Sequence, residues 1–181
     1  METEGTSRPD VAALERRYHV SRDCSREEFL AVAKVYAREV ADRHDLSVSV
    51  SDLEWSVSDR AKRRAGAVKH RDGDPQSVVL TWGQFEARGW AATAATIRHE
   101  LIHVHLLNEA DDPSHGDRFR DLAQRLDTGV HCDRFTDPDW WVVCENCGTR
   151  LARYRRSKLV TKPEAYACGD CGGDLRVEAV D

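Results

Sequence analysis

A chain of 181 residues, 40% hydrophobic and 33% charged, carries enough apolar content for one medium domain or one domain plus an appendage, and too much to be disordered throughout. Lys and Arg total 27 against 32 Asp and Glu, a formal net charge of −5, so global basicity is excluded and contact with nucleic acid would require a local patch. No run approaches the roughly 20 apolar residues that cross a bilayer, and residues 1–9 hold two acids and no apolar stretch, so we expect no membrane segment, no secretory leader and a cytoplasmic location.

Val11, Leu14 and Tyr18 at helical spacing after Pro9 predict a short helix over 9–18. Ser25-Arg26-Glu27-Glu28 reads as a capping box, and Phe29, Ala33, Tyr36 and Val40 continue as one stripe, predicting a helix over 26–43. From Leu46 the period falls to two, through Val48 and Val50 and then, after a change of phase, Leu53, Trp55 and Val57, which predicts a bulged strand. Two more strands are expected over 65–70 and 76–82, joined by a turn at Asp72-Gly73-Asp74-Pro75. Residues 90–107 lack Gly and Pro and predict a helix, broken by Asp111-Asp112-Pro113-Ser114. A second helix begins near His115 and buries Phe119, Leu122 and Leu126 before Gly129. The composition changes near Asp137, giving an α+β domain over 9–137 and a cysteine-bearing segment over 138–181.

His99-Glu100-Leu101-Ile102-His103 lies within the third helix. Positions four apart share a helix face, so His99 and His103 can direct imidazole nitrogens at one divalent ion, with Glu100 offset toward a water on it. This is the pattern of a zinc hydrolase, in which the carboxylate takes the proton of the attacking water. Such an ion needs a third protein ligand. A glutamate some twenty residues downstream is absent, since none occurs between Glu109 and Glu145. Glu109 occupies the third slot of another zinc-protease pattern, but that pattern needs a glycine where Leu106 stands. His115, one turn before Phe119 on the buried stripe of the next helix, is the better ligand.

Cys144, Cys147, Cys168 and Cys171 form two Cys-x-x-Cys pairs separated by 20 residues, the spacing of a four-thiolate structural zinc ribbon. Between them Arg150, Arg153, Arg155, Arg156, Lys158 and Lys162 form a basic patch with Tyr154, Tyr166, Trp140 and Trp141 nearby, suited to a phosphate backbone and stacked bases. Cys24, Cys132, His19, His44, His70, His105 and His131 have no partner at ligand spacing and are read as structural or surface residues.

The string His99-Glu100-x-x-His103 with His115-Gly116-x-x-Phe119, preceded by Trp55 and Ala65-Gly66 and followed by the four cysteines, resembles the SprT family, which includes the Spartan proteases. The resemblance implies a zincin-like domain of helices and a small three-stranded sheet. It also implies a catalytic zinc on His99, His103 and His115 with Glu100 as base, a C-terminal zinc ribbon, and protein substrates that in the Spartan branch are DNA-associated. The alternative function is a non-enzymatic, nucleic-acid-binding or transcription-associated zinc protein in which the ribbon acts and the first motif braces the fold.

Overall fold

The computed structural model describes residues 11–131 and 135–180. The chain divides into two compact units that meet between Phe135 and Thr136. The first is built from α1 (Val11–Arg17), α2 (Arg26–Arg43), β1 (Glu54–Ser58), β2 (Gly66–Arg71), β3 (Asp74–Thr81), α3 (Trp82–Ala110) and α4 (Asp117–Arg125). The second holds β4 (Trp140–Cys144), β5 (Arg150–Arg153), a four-residue helix α5 (Lys158–Thr161), a 3-10 turn at Pro163–Ala165 and β6 (Leu175–Ala179). The class is α+β. Pro9 and Asp10, where the first helix was expected to start, and Cys132 lie outside the described residues.

Ser25 caps α2 as its sequence predicts, its hydroxyl accepting the Glu28 N–H at 3.1 Å. The stripe Phe29, Ala33, Tyr36, Ala37 and Val40 is buried, and Phe29 packs edge-on and tilted against Trp82, Phe85 and Trp90 of α3. The first sheet has the order β1-β3-β2, with β1 parallel and β2 antiparallel to the central β3. Its β3 and β2 pack on α3, so β2 is an edge strand that borders the helix carrying the histidine motif.

Three elements depart from the sequence-based expectation. The bulged strand shrinks to β1: Leu46 and Val50 are buried, but the backbone of 46–53 is irregular. There the Ser47 N–H donates to His105 Nδ1 at 3.0 Å and Asn108 donates to the Ser47 carbonyl at 2.6 Å, so α3, not a strand, satisfies this segment. The hairpin turn is two residues, Asp72 and Gly73, both at positive φ (50° and 81°), and Asp74 and Pro75 already belong to β3. Finally, α3 starts at Trp82, where strand was expected, and is interrupted at Gly89 (φ 76°, ψ −169°). A side chain there would be strained by the backbone and would meet the Arg22 guanidinium at 3.4 Å.

His44 closes α2 and is buried, with Nε2 unpartnered among the described residues. Burial first, then Arg125 of α4, Arg98 of α3 and Arg43 of α2, hold its pKa below 6.5. The folded state therefore keeps His44 neutral at pH values where the unfolded chain takes a proton. Its stabilising contribution is complete above pH about 6.5 and is lost as pH falls from there toward the depressed folded value, at up to about 1.4 kcal/mol per pH unit for one proton. The His44→Gln protein should show a shallower loss of stability than wild type between pH 6.5 and 5 in urea titrations; parallel curves would contradict this assignment.

Candidate metal centres and cleft

Long, Ala- and Leu-rich α3 buries His99, and His103 follows one turn later on the same face. The chain then reverses through a locally bonded loop. Asp111 takes a left-handed conformation (φ 49°), its N–H bonding back to the Leu106 and Leu107 carbonyls, and the Asp112 carboxylate accepts the Ser114 N–H at 2.9 Å. This loop returns His115 to α3 just ahead of α4, whose first residue is Asp117. His115 Nε2 stands 3.1 Å from His103 Nε2 and 3.2 Å from His99 Nε2. Fully buried Phe119 of α4 forms the floor, its ring 4.8, 4.8 and 4.5 Å from those of His99, His103 and His115.

Protonation and tautomer follow from the surroundings. His99 Nδ1 faces the Gly129 carbonyl at 2.9 Å, and because a carbonyl only accepts, Nδ1 carries the hydrogen and Nε2 presents its lone pair to the cluster. The carbonyl is itself held in place: Arg98 donates to the Asp127 carbonyl at 2.7 Å and the Thr128 hydroxyl donates to the Ala95 carbonyl at 2.7 Å. Arg98, only 2% exposed, also bonds Glu15 and the Tyr36 hydroxyl. Burial lowers the pKa of all three histidines; for His103, burial and then the neighbouring His99 and His115 push it down to about 4.

Three convergent, neutral imidazoles cannot satisfy one another, since a hydrogen placed between two nitrogens leaves the third facing a lone pair. A small divalent ion with metal–nitrogen bonds near 2.0–2.1 Å separates tetrahedral nitrogens by about 3.3 Å, close to the spacing present here. His99, His103 and His115 could therefore hold a metal ion.

Glu100 is 4% exposed and lines the same cleft as the three histidines, a hollow of about 490 Å³ bordered also by Arg64, Gly66, Val68 and Val130. Burial pushes its carboxyl up to about 8, opposed by an N–H bond from Val68 and the positive charge of Arg64. Two histidines without ligand spacing in the sequence, His70 and His131, also line this cleft. The His131 ring lies 5.9 Å from that of His115. Glu109, the other candidate third ligand, is exposed and accepts a bond from the Ser47 hydroxyl.

In the second unit, an antiparallel sheet of order β5-β4-β6 brings the cysteine pairs together. The sulfurs of Cys144 and Cys171 are 3.5 Å apart and those of Cys147 and Cys168 are 3.6 Å apart. These are too long for disulfides and near the edge of about 3.8 Å in a tetrahedron with 2.3 Å metal–sulfur bonds, so the four thiols could also hold a metal. Gly173 packs where a Cβ would stand 3.2 Å from Cys144 Sγ and 3.3 Å from Cys171 Sγ. Hydrogen bonding with Thr149, ahead of that with Cys171 and Cys144, draws the Cys147 thiol down to about 6.

The basic patch is only partly available. Arg150 pairs with Glu178 at 3.1 Å and lies over the Trp141 ring at 4.6 Å, which covers one of the aromatic faces expected to stack on bases. Arg155, Arg156, Lys158 and Lys162 are exposed, as are Leu151 and Tyr166. Among the described residues no helix is long and apolar enough to cross a membrane.

Comparison with known proteins bears on the first unit. The SprT-like family model matches residues 30–136, a span that ends at the boundary of the two units and stops short of the four cysteines. The chain is 34% identical over 110 residues to "Protein SprT-like" of Geobacillus sp. (strain WCH70), covering 56% of this chain and 68% of that protein. It is 26% identical over 139 residues to the protein of that name from Streptococcus gordonii, covering 72% and 90%. With the Bacillus subtilis (strain 168) protein of that name the identity is 32% over 90 residues, covering 44% and 55%. A match across more than half of the sequence, on the segment that supplies all three histidines and Glu100, places the chain in the SprT-like family.

Proposed function

We propose that the chain is a zinc-dependent metallopeptidase with a zincin-like domain over 9–137 and a structural zinc ribbon over 138–181. The observation that carries this reading is the convergence of three neutral imidazole nitrogens beside a buried carboxylate in an open cleft. A purely structural ion has no use for that carboxylate. An open cleft bordered by an edge strand fits an extended polypeptide.

In this reading His99, His103 and His115 hold the ion, and the Gly129 carbonyl fixes the orientation of His99. Zinc bound there supplies a Lewis acid, which lowers the pKa of a water to about 7 and polarises a carbonyl. The charge of a divalent ion on the three histidines would offset the burial that raises the Glu100 carboxyl and so favour its ionised form. That carboxylate takes the proton from the attacking water and gives it to the departing amine nitrogen, so it is regenerated in each cycle. Phe119, beneath the histidines, keeps bulk water from the far side of the cluster.

Substrates held on DNA and a cytoplasmic location form a second layer of the same proposal, and the exposed cations of the ribbon support the first of these. The competing reading, a non-enzymatic nucleic-acid-binding protein, predicts salt-dependent DNA affinity with no peptidase activity on any DNA form. The deciding assay is cleavage of a loosely folded protein such as casein, with and without DNA. A zinc chelator should abolish cleavage and added zinc should restore it; cleavage indifferent to the chelator would contradict the metallopeptidase reading.

A further inference from the structure

Gly66 opens the edge strand β2, and no unusual backbone angle accounts for a glycine there: the glycines at positive φ among the described residues are Gly73, Gly89, Gly148 and Gly172. What sets Gly66 apart is space. A Cβ at this position would stand 2.7 Å from Glu100 Oε1, 3.0 Å from Glu100 Cγ and 2.8 Å from Thr96 Cγ2. Thr96 and Glu100 are one turn apart on the same face of α3, so the missing side chain leaves a notch in which that face meets the strand. Two residues further along β2, Val68 lines the same cleft as Glu100, with its N–H placed to favour the charged carboxylate.

We infer that Gly66 is a positioning residue for Glu100: the bare strand at 66 lets the carboxylate lie against β2 and take the Val68 N–H, which fixes the direction it faces in the cleft. The carboxylate has two anchors, its own helix and the edge strand, and the second exists only while position 66 lacks a side chain. A general base must meet its proton within hydrogen-bond reach, so a displaced carboxylate loses turnover even in a folded protein. This inference rests on the peptidase reading, because the direction of the carboxylate matters only if it transfers a proton.

The two contacts of the absent Cβ can be separated. Thr96→Ser removes Cγ2 but keeps the hydroxyl that donates to the Ala92 carbonyl at 3.0 Å, so it relieves the packing clash and leaves the clash with Glu100. We expect Gly66→Ala to lower both Tm and kcat. The Gly66→Ala/Thr96→Ser protein should recover the Tm and metal content of Thr96→Ser, while kcat stays reduced on the order of 10²-fold with KM nearly unchanged. Recovery of kcat together with Tm would overturn the inference and leave Gly66 a packing residue. Amide exchange at Val68, followed by NMR, reads the clamp without catalysis. It should accelerate in Glu100→Ala and in the double variant alike, and unchanged exchange in Glu100→Ala would also overturn the inference. If the wild-type protein cleaves nothing, the peptidase reading fails, and exchange at Val68 still decides whether Gly66 holds the carboxylate against the strand.

Discussion

Glu100→Gln should reduce cleavage of a loosely folded protein by about 10²- to 10⁴-fold, the usual contribution of a positioned general base, while the metal held by the three histidines stays bound. Glutamine matches glutamate in shape, and its amide oxygen can accept the same Val68 N–H, so the notch beside Gly66 remains filled. What it lacks is a basic oxygen able to hold a proton between attack and departure of the amine. The histidines take their places from other contacts: the Gly129 carbonyl on His99, the loop 111–116 behind His115, and the ring of Phe119 beneath all three. Loss of turnover without loss of metal therefore separates the base from the ligands. Undiminished cleavage by Glu100→Gln would remove the mechanism, and simultaneous loss of metal would mean that Glu100 supports the site rather than acting in it.

The second large effect is expected in the ribbon. Among the described residues of that unit only Pro138, Val142, Val143, Cys144 and Cys168 are buried, too little apolar surface to offset the ordering of some forty residues. In the proposed reading its folding comes mostly from the metal that the four thiols would hold, a contribution of about 10–16 kcal/mol in comparable small zinc domains at neutral pH. Cys168→Ser keeps the size of the side chain but replaces a soft thiolate with a hydroxyl that binds such an ion poorly. The variant should lose one equivalent of metal, and the amides of β4, β5 and β6 should lose their protection from exchange. The first unit, which has its own extensive core from Leu14 to Leu126, should keep its protection. Retention of full metal and of protected β4 amides in Cys168→Ser would show that this unit folds without the ion.

Where chemistry and local periodicity coincide, the sequence was informative. The Ser25 cap and apolar stripe of α2, the two histidines one turn apart on α3 and the paired cysteines all depend on residues within a turn or two of one another. His115 could be ranked above Glu109 because the stripe beginning at Phe119 showed which face of the next helix is buried. The remainder depends on contacts made across the fold. His131 enters the cleft on a chain segment that returns thirty residues after His99, and its neighbouring residues carry no ligand spacing. Leu46, Val48 and Val50 alternate like a strand, but Ser47 satisfies its backbone on α3 through His105 and Asn108, a pairing between residues some sixty positions apart. The helix over 82–88 was hidden because a strand runs straight into it at Trp82 and only Gly89 separates it from the longer segment. Gly66 stood out as part of a short motif, but the carboxylate it accommodates is 34 positions away and appears only when β2 is laid on α3.

Counting metal per chain tests the central claim most directly. Elemental mass spectrometry on the purified protein should find two zinc ions in the wild type, one in a His99→Ala/His103→Ala/His115→Ala protein and one in Cys168→Ser. A zinc count that is unchanged by removal of all three imidazoles, whether one or two in the wild type, would mean that these rings meet for some purpose other than holding an ion.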